Sequence, residues 1–329
     1  MIVDSHTHVY PEKVARVIAS RFEQMRAIAA GQLPRPGEGE SPLPGVPFTG
    51  EGGSFTPPTP PTSPATSATL RSPTAQGPFF TEHPQLAELP MAGTLPTTVA
   101  AMDRTGIERS WMLPVATNPK RVVETNDWVF ETCAANPRFL PFATLHARDP
   151  GWREELVRVA EAGARGVKLH VAMQLQEDSE HLVSDEMSEM FGALEAADLT
   201  MVTCTFFPKE IGSGQPGVSL RLLDVMKNFP RLRVVAAHMG AMFNWDGGAE
   251  PIFGSRAYLD LAFVPGLVES NELVRMIRKH GADRVIFGSD SPYADPQFVL
   301  DGFDQLPLND DEREAILCNN AAGALGEKG

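Results

Sequence analysis

The sequence has no run of about 18 consecutive apolar residues, so no membrane-spanning helix is expected. Basic residues are scarce: 28 Lys and Arg stand against 42 Asp and Glu, a formal charge of −14. Nucleic acid or an anionic membrane surface is therefore excluded as the main partner, because both demand clustered positive charge. Cysteine is rare too. Cys133, Cys204 and Cys318 are odd in number and far apart, which excludes a disulfide framework and predicts reduced thiols in a cytoplasmic protein. The opening MIVDSHTHVYPE lacks the basic-then-apolar layout of a secretory signal. Neither G-x-G-x-x-G nor the Walker A pattern occurs, and no Gly-x-Ser-x-Gly elbow surrounds Gly288-Ser289-Asp290-Ser291.

What is present is a chain of 329 residues, 42% hydrophobic, with enough apolar surface for a large core. One segment departs from the rest. Residues 33–78 hold 12 Pro, 7 Gly and 12 Ser or Thr among 46 positions. So little apolar surface cannot offset the entropy of ordering, and residues 57–64 (PPTPPTSP) favour extended polyproline backbone. The segment reads as a solvated, flexible insertion in a single domain spanning 1–329.

Elsewhere short apolar runs alternate with longer amphipathic stretches. Strands are predicted at 2–5, 109–115, 139–145, 166–170, 200–206, 233–238, 257–263 and 284–289. Helices are predicted at 12–30, 121–135, 152–162, 185–197, 220–228, 272–280 and 309–325. Parallel strands need such crossovers, and eight units predict an α/β fold, a (β/α)8 barrel with the proline-rich insertion after its first βα unit.

Five of the eight histidines, His6, His8, His146, His170 and His238, fall at or just beyond a predicted strand's C-terminal end. A barrel gathers those ends on one rim, where active sites are built. Alternation puts Asp4, His6 and His8 on one face, Lys168 with His170, and Gly288 with Asp290. Two imidazoles two residues apart stand about 6–7 Å from each other, from a rise of roughly 3.3 Å per residue. Nitrogens at that spacing can share one divalent ion. His146 is a candidate substrate contact. His83, His181 and His280 read as solvated. Asp260 either supports a ligand or pairs with a helix residue, and Asn126 and Asp127 read as a helix start.

Four motifs carry a resemblance: IVDSHTH at 2–8, GVKLH at 166–170, VVAAHMG at 234–240 and VIFGSDSPY at 285–293. With NNA at 319–321, they resemble the amidohydrolase-related branch of the amidohydrolase superfamily, metal-dependent TIM-barrel hydrolases. The resemblance spans 1–30 and 90–325. It implies that His6 and His8 form the first-strand metal pair. His238 is then the sixth-strand histidine that binds a second metal or polarises substrate. Asp290 is the eighth-strand aspartate that contacts the metal and acts as base. Lys168 lies near a position some members carboxylate.

One departure stands out. Where the family ends its fifth strand with a histidine ligand, LTMVTCTF at 199–206 places Cys204. A thiolate binds zinc at about 2.3 Å. Alternatively Cys204 is a small buried residue, and His170 supplies the nitrogen or the metal is weak or absent.

The resemblance implies metal-assisted hydrolysis of a C–N or C–O bond in a small molecule. Zinc is the preferred ion, with manganese open. Lys168 and His170 would meet the substrate, Lys168 as a point charge for its carboxylate. The alternatives are a non-oxidative decarboxylase of the same branch and a metal-depleted binding or scaffold barrel. Self-association of the chain is left open.

Overall fold

The computed structural model describes residues 1–29 and 91–327. The insertion at 33–78 and His83 lie outside the described residues.

The fold is a (β/α)8 barrel. Its strands are β1 (Ile2–Thr7), β2 (Ile107–Met112), β3 (Phe139–Pro141), β4 (Ala143–Thr144), β5 (Gly166–Leu169), β6 (Thr200–Thr203), β7 (Val234–Ala236), β8 (Tyr258–Asp260) and β9 (Val285–Ile286). All pair in parallel, in the orders β1-β2-β3 and β4 through β9. Helices α1 (Glu12–Ala29), α2 (Leu95–Thr105), α3 (Val122–Ala135), α4 (Trp152–Glu161), α5 (Asp185–Ala196), α6 (Val218–Asn228), α7 (Ser270–His280) and α8 (Pro296–Asp304) fall between or after them.

The third predicted strand is one stave broken in two. Pro141 has no amide proton to give, so pairing shifts there. β3 pairs with β2, and after Phe142 the chain turns its hydrogen bonds to β5. The Phe142 amide still donates to Met112 O at 3.3 Å. The barrel closes between β1 and the segment after β9. Ser5 N donates to Phe287 O at 2.9 Å, Asp290 N to His6 O at 2.8 Å, and His8 N to Ser291 O at 2.6 Å.

Two apolar layers follow from strand alternation. Val3, Trp111, Leu140, Phe142, Val202, Val235 and Ile286 pack in one cluster inside the barrel, with Ala321 and Ala324 at its foot. Val167, Met201, Val234, Leu259 and Val285 point outward to the helices, against Leu156, Leu194, Leu222 and Ile277. Inward-facing Lys168, Cys204, Asp260 and Asp290 therefore sit at or above the ends of strands whose lower residues are apolar.

Three sequence expectations change. Asp4 does not share the site with His6 and His8. The register of β1 against β2 shifts between Asp4 and Thr7, so alternation is interrupted. Asp4 instead accepts from Ser289 N at 2.9 Å and Ser289 Oγ at 2.6 Å. His280 is not solvated: it is buried and its Nε2 donates to Ala257 O at 2.9 Å, because it lies on the inner face of α7. Asn126 sits inside α3 and clamps β4, accepting from Thr144 N at 2.8 Å and donating to Thr144 O at 3.0 Å.

Candidate metal centre

The first strand delivers His6 and His8, whose ring centroids stand 5.2 Å apart. The turn after β7 delivers His238. The turn after β9 delivers Asp290. His238 and Asp290 both hold left-handed backbone, with φ of 56° and 68°. Such backbone is uncommon for residues with a side chain and costs of order 1 kcal/mol or more, so it persists where surroundings enforce it. Gly288 allows the close approach beneath. A Cβ there would stand 2.8 Å from the Cβ of His6.

Each histidine is held by its Nδ1. His6 Nδ1 donates to Asp260 Oδ2 at 2.8 Å, His8 Nδ1 to Leu113 O at 2.7 Å, and His238 Nδ1 to Ala262 O at 2.9 Å. A carbonyl or carboxylate oxygen only accepts, so each Nδ1 carries a proton and each Nε2 is the atom left to face the centre. All three Nε2 atoms face the centre. Asp290 Oδ1 lies 3.4 Å from His6 Nε2 and 3.3 Å from His8 Nε2. His6, His238 and Asp290 present ligand atoms that all lie within 4.8 Å of one another. Three imidazoles and a carboxylate, buried and braced from behind, are the kind of group that can hold a divalent cation.

The charges suit the role. Burial, then the Lys168 ammonium, holds His6 well below the usual imidazole range, so it stays neutral. Burial raises Asp290, but His6, His8 and His238 outweigh it and keep the carboxylate ionised. Burial pushes Asp260 up, against the pull of His238 and Lys168. For His238, burial is overcome by Cys204 and then by Asp290 and Asp260, raising it to about 9, so its ring holds a second proton near neutrality that a cation would have to displace. Cys204 shows the complement: burial would raise it, but His170 and His238 draw it well below the usual thiol range.

Lys168 is fully buried at the centre and its Nζ donates to His6 Nε2 at 3.0 Å. It competes with a cation for that lone pair, and only its flexible stem lets it yield. Cys204 Sγ lies 3.6 Å from His238 Nε2. His170 Nδ1 accepts from Met173 N at 3.4 Å, capping a single helical turn at Val171–Gln174. His146 stands apart. Its Nε2 donates to Gln174 O at 2.9 Å and its Nδ1 accepts from Arg148 N at 3.2 Å, so both ring nitrogens serve the backbone.

Two residues that the sequence did not single out belong here. Tyr10 stacks on His8 at 6.3 Å, and its hydroxyl meets that of Tyr293 at 2.8 Å. Burial, then Tyr293, raises Tyr10 well above its ordinary range, and burial takes Tyr293 to about 12, so both phenols stay protonated. Their spacing held the signal: Tyr10 repeats the two-residue step of His6 and His8, and Tyr293 lies three beyond Asp290. Across the rim Phe243 contacts Phe206, Trp245 and Phe263 at 5.6–6.2 Å. Trp245 Nε1 donates to His238 O at 2.8 Å.

The group lies at the C-terminal rim, where barrel enzymes build their active sites. A family model described as amidohydrolase matches residues 3–326, and the chain belongs to that family. Among solved structures it is similar to 5-carboxyvanillate decarboxylase from Sphingomonas paucimobilis, with a TM-score of 0.61, 16% identity, and 99% of each chain covered. It is also similar to a probable 2-pyrone-4,6-dicarboxylic acid hydrolase from Acinetobacter baumannii, with a TM-score of 0.58, 13% identity, and 99% of each chain covered. A third similar structure is dihydroxybenzoic acid decarboxylase from Polaromonas with bound manganese. There the TM-score is 0.55 and the identity 21%, over 70% of this chain and 85% of the other. At these identities the likeness is one of fold. No curated protein matches the sequence. Among the described residues, no helix is long and apolar enough to cross a membrane.

Proposed function

We propose that the protein is a metal-dependent hydrolase that cleaves a C–N or C–O bond in a small, carboxylate-bearing molecule. The convergence of His6, His238 and Asp290 within 4.8 Å, with His8 beside Asp290, carries this reading. His6, His8, His238 and Asp290 would hold the cation, zinc by preference because imidazole nitrogens dominate the set. A bound divalent ion supplies Lewis acidity and lowers the pKa of water from 15.7 towards about 7.

The remaining work falls to the chain. Asp290, ionised and set between His6 and His8, accepts the proton of the attacking water and returns it to the leaving group. Lys168 is the buried positive charge that receives a substrate carboxylate. His170 faces the same floor beside Cys204 and would border the substrate. The Phe206, Phe243 and Phe263 rings offer an apolar wall on the His238 side. Three free cysteines fit a reducing compartment such as the cytoplasm.

A second reading, non-oxidative decarboxylation, is favoured by Lys168: a buried cation that seats a carboxylate serves equally where that carboxylate is lost. The decarboxylases similar in fold act on aromatic acids, and an aromatic wall would suit such a ring.

The test is elemental analysis followed by product analysis. Purified protein should retain close to one equivalent of zinc or manganese, and the His6→Ala variant should lose it. The metal-loaded protein is then offered lactone, ester and amide carboxylates beside hydroxylated benzoates. Products that have gained one water support the hydrolase. Release of CO2 overturns it in favour of the lyase. Full metal retention in His6→Ala would overturn the site.

A further inference from the structure

We infer that Tyr293 gives a hydrogen bond to an oxygen of the bound substrate, the carbonyl oxygen of an ester, lactone or amide, and that Tyr10 is the positioning residue that frees the Tyr293 proton for it; this rests on the metal-dependent hydrolase reading above.

A count of protons carries the inference. The hydroxyl oxygens of Tyr10 and Tyr293 lie 2.8 Å apart. Each phenol holds one O–H, and their contact uses one of the two. The pair therefore keeps one O–H over, and among the described residues no acceptor takes it. The contact raises Tyr10 and lowers Tyr293, the directions that follow when Tyr10 donates and Tyr293 accepts. The proton left over is then that of Tyr293.

Tyr293 is also the phenol placed against the centre. Its amide donates to Asp290 O at 2.8 Å, so the two residues share one turn. Its ring meets His8 edge-on at 5.6 Å. Its hydroxyl feels the charges of Asp290 and of Cys204, which follows β6 across the barrel from β1. Tyr10 lies behind it, stacked on His8 at 6.3 Å.

Both rings are held in place. The amide of Tyr10 donates to Gly93 O at 2.8 Å. A Cβ at Gly93, where φ is 66°, would stand 2.6 Å from Pro292 Cγ and 3.3 Å from Tyr10 Cδ2, so a glycine is needed where this segment crosses the pair. Phe22 of α1 backs Tyr293 at 5.9 Å. Packing against His8 calls for rings and not for hydroxyls, since phenylalanine fills the same space. The Nδ1 protons of the three histidines and the Nε1 proton of Trp245 are all taken by oxygens of the chain. A fixed, neutral O–H beside the centre suits an oxygen on which negative charge develops during attack, because it is already in place when the charge appears. No bond to the phenol proton breaks in this role.

The experiment titrates acetohydroxamate, a small carbonyl compound whose oxygens bind zinc, into the zinc-loaded full-length protein by calorimetry. Zinc affinity is read in parallel by chelator competition. Tyr293→Phe should bind the probe about ten-fold more weakly or worse, the worth of a hydrogen bond to a charged oxygen. Tyr10→Phe should weaken it about three-fold, because Tyr293 keeps its proton and loses the partner that aims it. In the double variant the Tyr10 change should add nothing. Zinc affinity should hold in all three, whereas a pair that only supports His8 would lower it about ten-fold or more. Wild-type probe affinity in Tyr293→Phe, or a probe loss matched by a zinc loss, would overturn the substrate contact and leave the metal-dependent reading standing. Losses that add in the double variant would overturn the positioning role of Tyr10. Absence of bound zinc in wild type would overturn both the inference and the reading beneath it.

Discussion

Asp260 and His6 are joined by a 2.8 Å hydrogen bond sealed from solvent, and through its other oxygen Asp260 accepts the backbone N–H of His238 at 2.7 Å. One carboxylate thus aims two of the four candidate ligands. Replacing Asp260 with Asn removes the charge and puts an amide N–H in place of one acceptor. Such supporting partners are worth about 10- to 100-fold in metal affinity. Zinc affinity of Asp260→Asn should fall by that factor while the circular dichroism spectrum stays native. Unchanged affinity would mean that Asp260 serves the fold alone.

Gly288 leaves no room for a methyl group. A Cβ there meets His6 Cβ at 2.8 Å and Ala262 Cβ at 3.4 Å. Gly288→Ala should push His6 off its line to Asp290. We expect a loss of about 1–3 kcal/mol in urea denaturation, the usual cost of overpacking. Metal stoichiometry should drop in the folded fraction. A variant that binds a full equivalent would show that His6 tolerates displacement.

Lys168 sets affinity and substrate recognition against each other. Its ammonium, 3.0 Å from His6 Nε2, repels a divalent ion. Two such charges about 5 Å apart interact by several kcal/mol even at an effective dielectric of about 20. Lys168→Met should therefore bind zinc at least ten-fold more tightly, while KM for a carboxylate substrate rises. Calorimetric titration and steady-state kinetics read the two effects separately. Weaker zinc binding would make Lys168 a support for His6.

Asp4 makes stability depend on pH. Burial lifts its carboxyl from 3.8 to about 6, against hydrogen bonds from Ser289 and His6 N. The folded state thus holds the proton more tightly than the unfolded chain. The stability this lends is fully present below about pH 4 and is lost as pH rises through about 6. A shift of about two units corresponds to about 3 kcal/mol. Asp4→Asn should remove that dependence, so its stability relative to wild type should improve between pH 4 and 7. Parallel urea midpoints for the two proteins across that range would refute the assignment.

Much of this arrangement was legible in the chain because two simple periods governed it. His6 and His8, two residues apart at the end of an apolar run, carried both the strand and the candidate ligand pair. His238 and Asp290 stood where later runs stopped. The failures have local causes. Asp4 left the face of His6 because the β1 register shifts, which no alternation rule foresees. His146, read as a candidate substrate contact, has its ring nitrogens engaged by Gln174 O and Arg148 N, contacts that depend on how the next loop folds back. His280 ends a helix with a strongly charged outer face, and only the three-dimensional phase of α7 shows that it points inward. The carbonyls of Leu113 and Ala262, which orient two histidines, have no side-chain signature.

The seam between β1 and the last stave also governs when the centre can come into being. Asp4 and Ser289, which stitch it, are 285 positions apart. Synthesis from the amino side releases His6 and His8 well before Asp290, which follows only after the intervening staves of the barrel. Throughout that interval β1 has an edge with no neighbour on one side, and any cation the emerging peptide meets finds half a set of donors. The candidate donor set is therefore complete only once β1 and the segment after β9 have met.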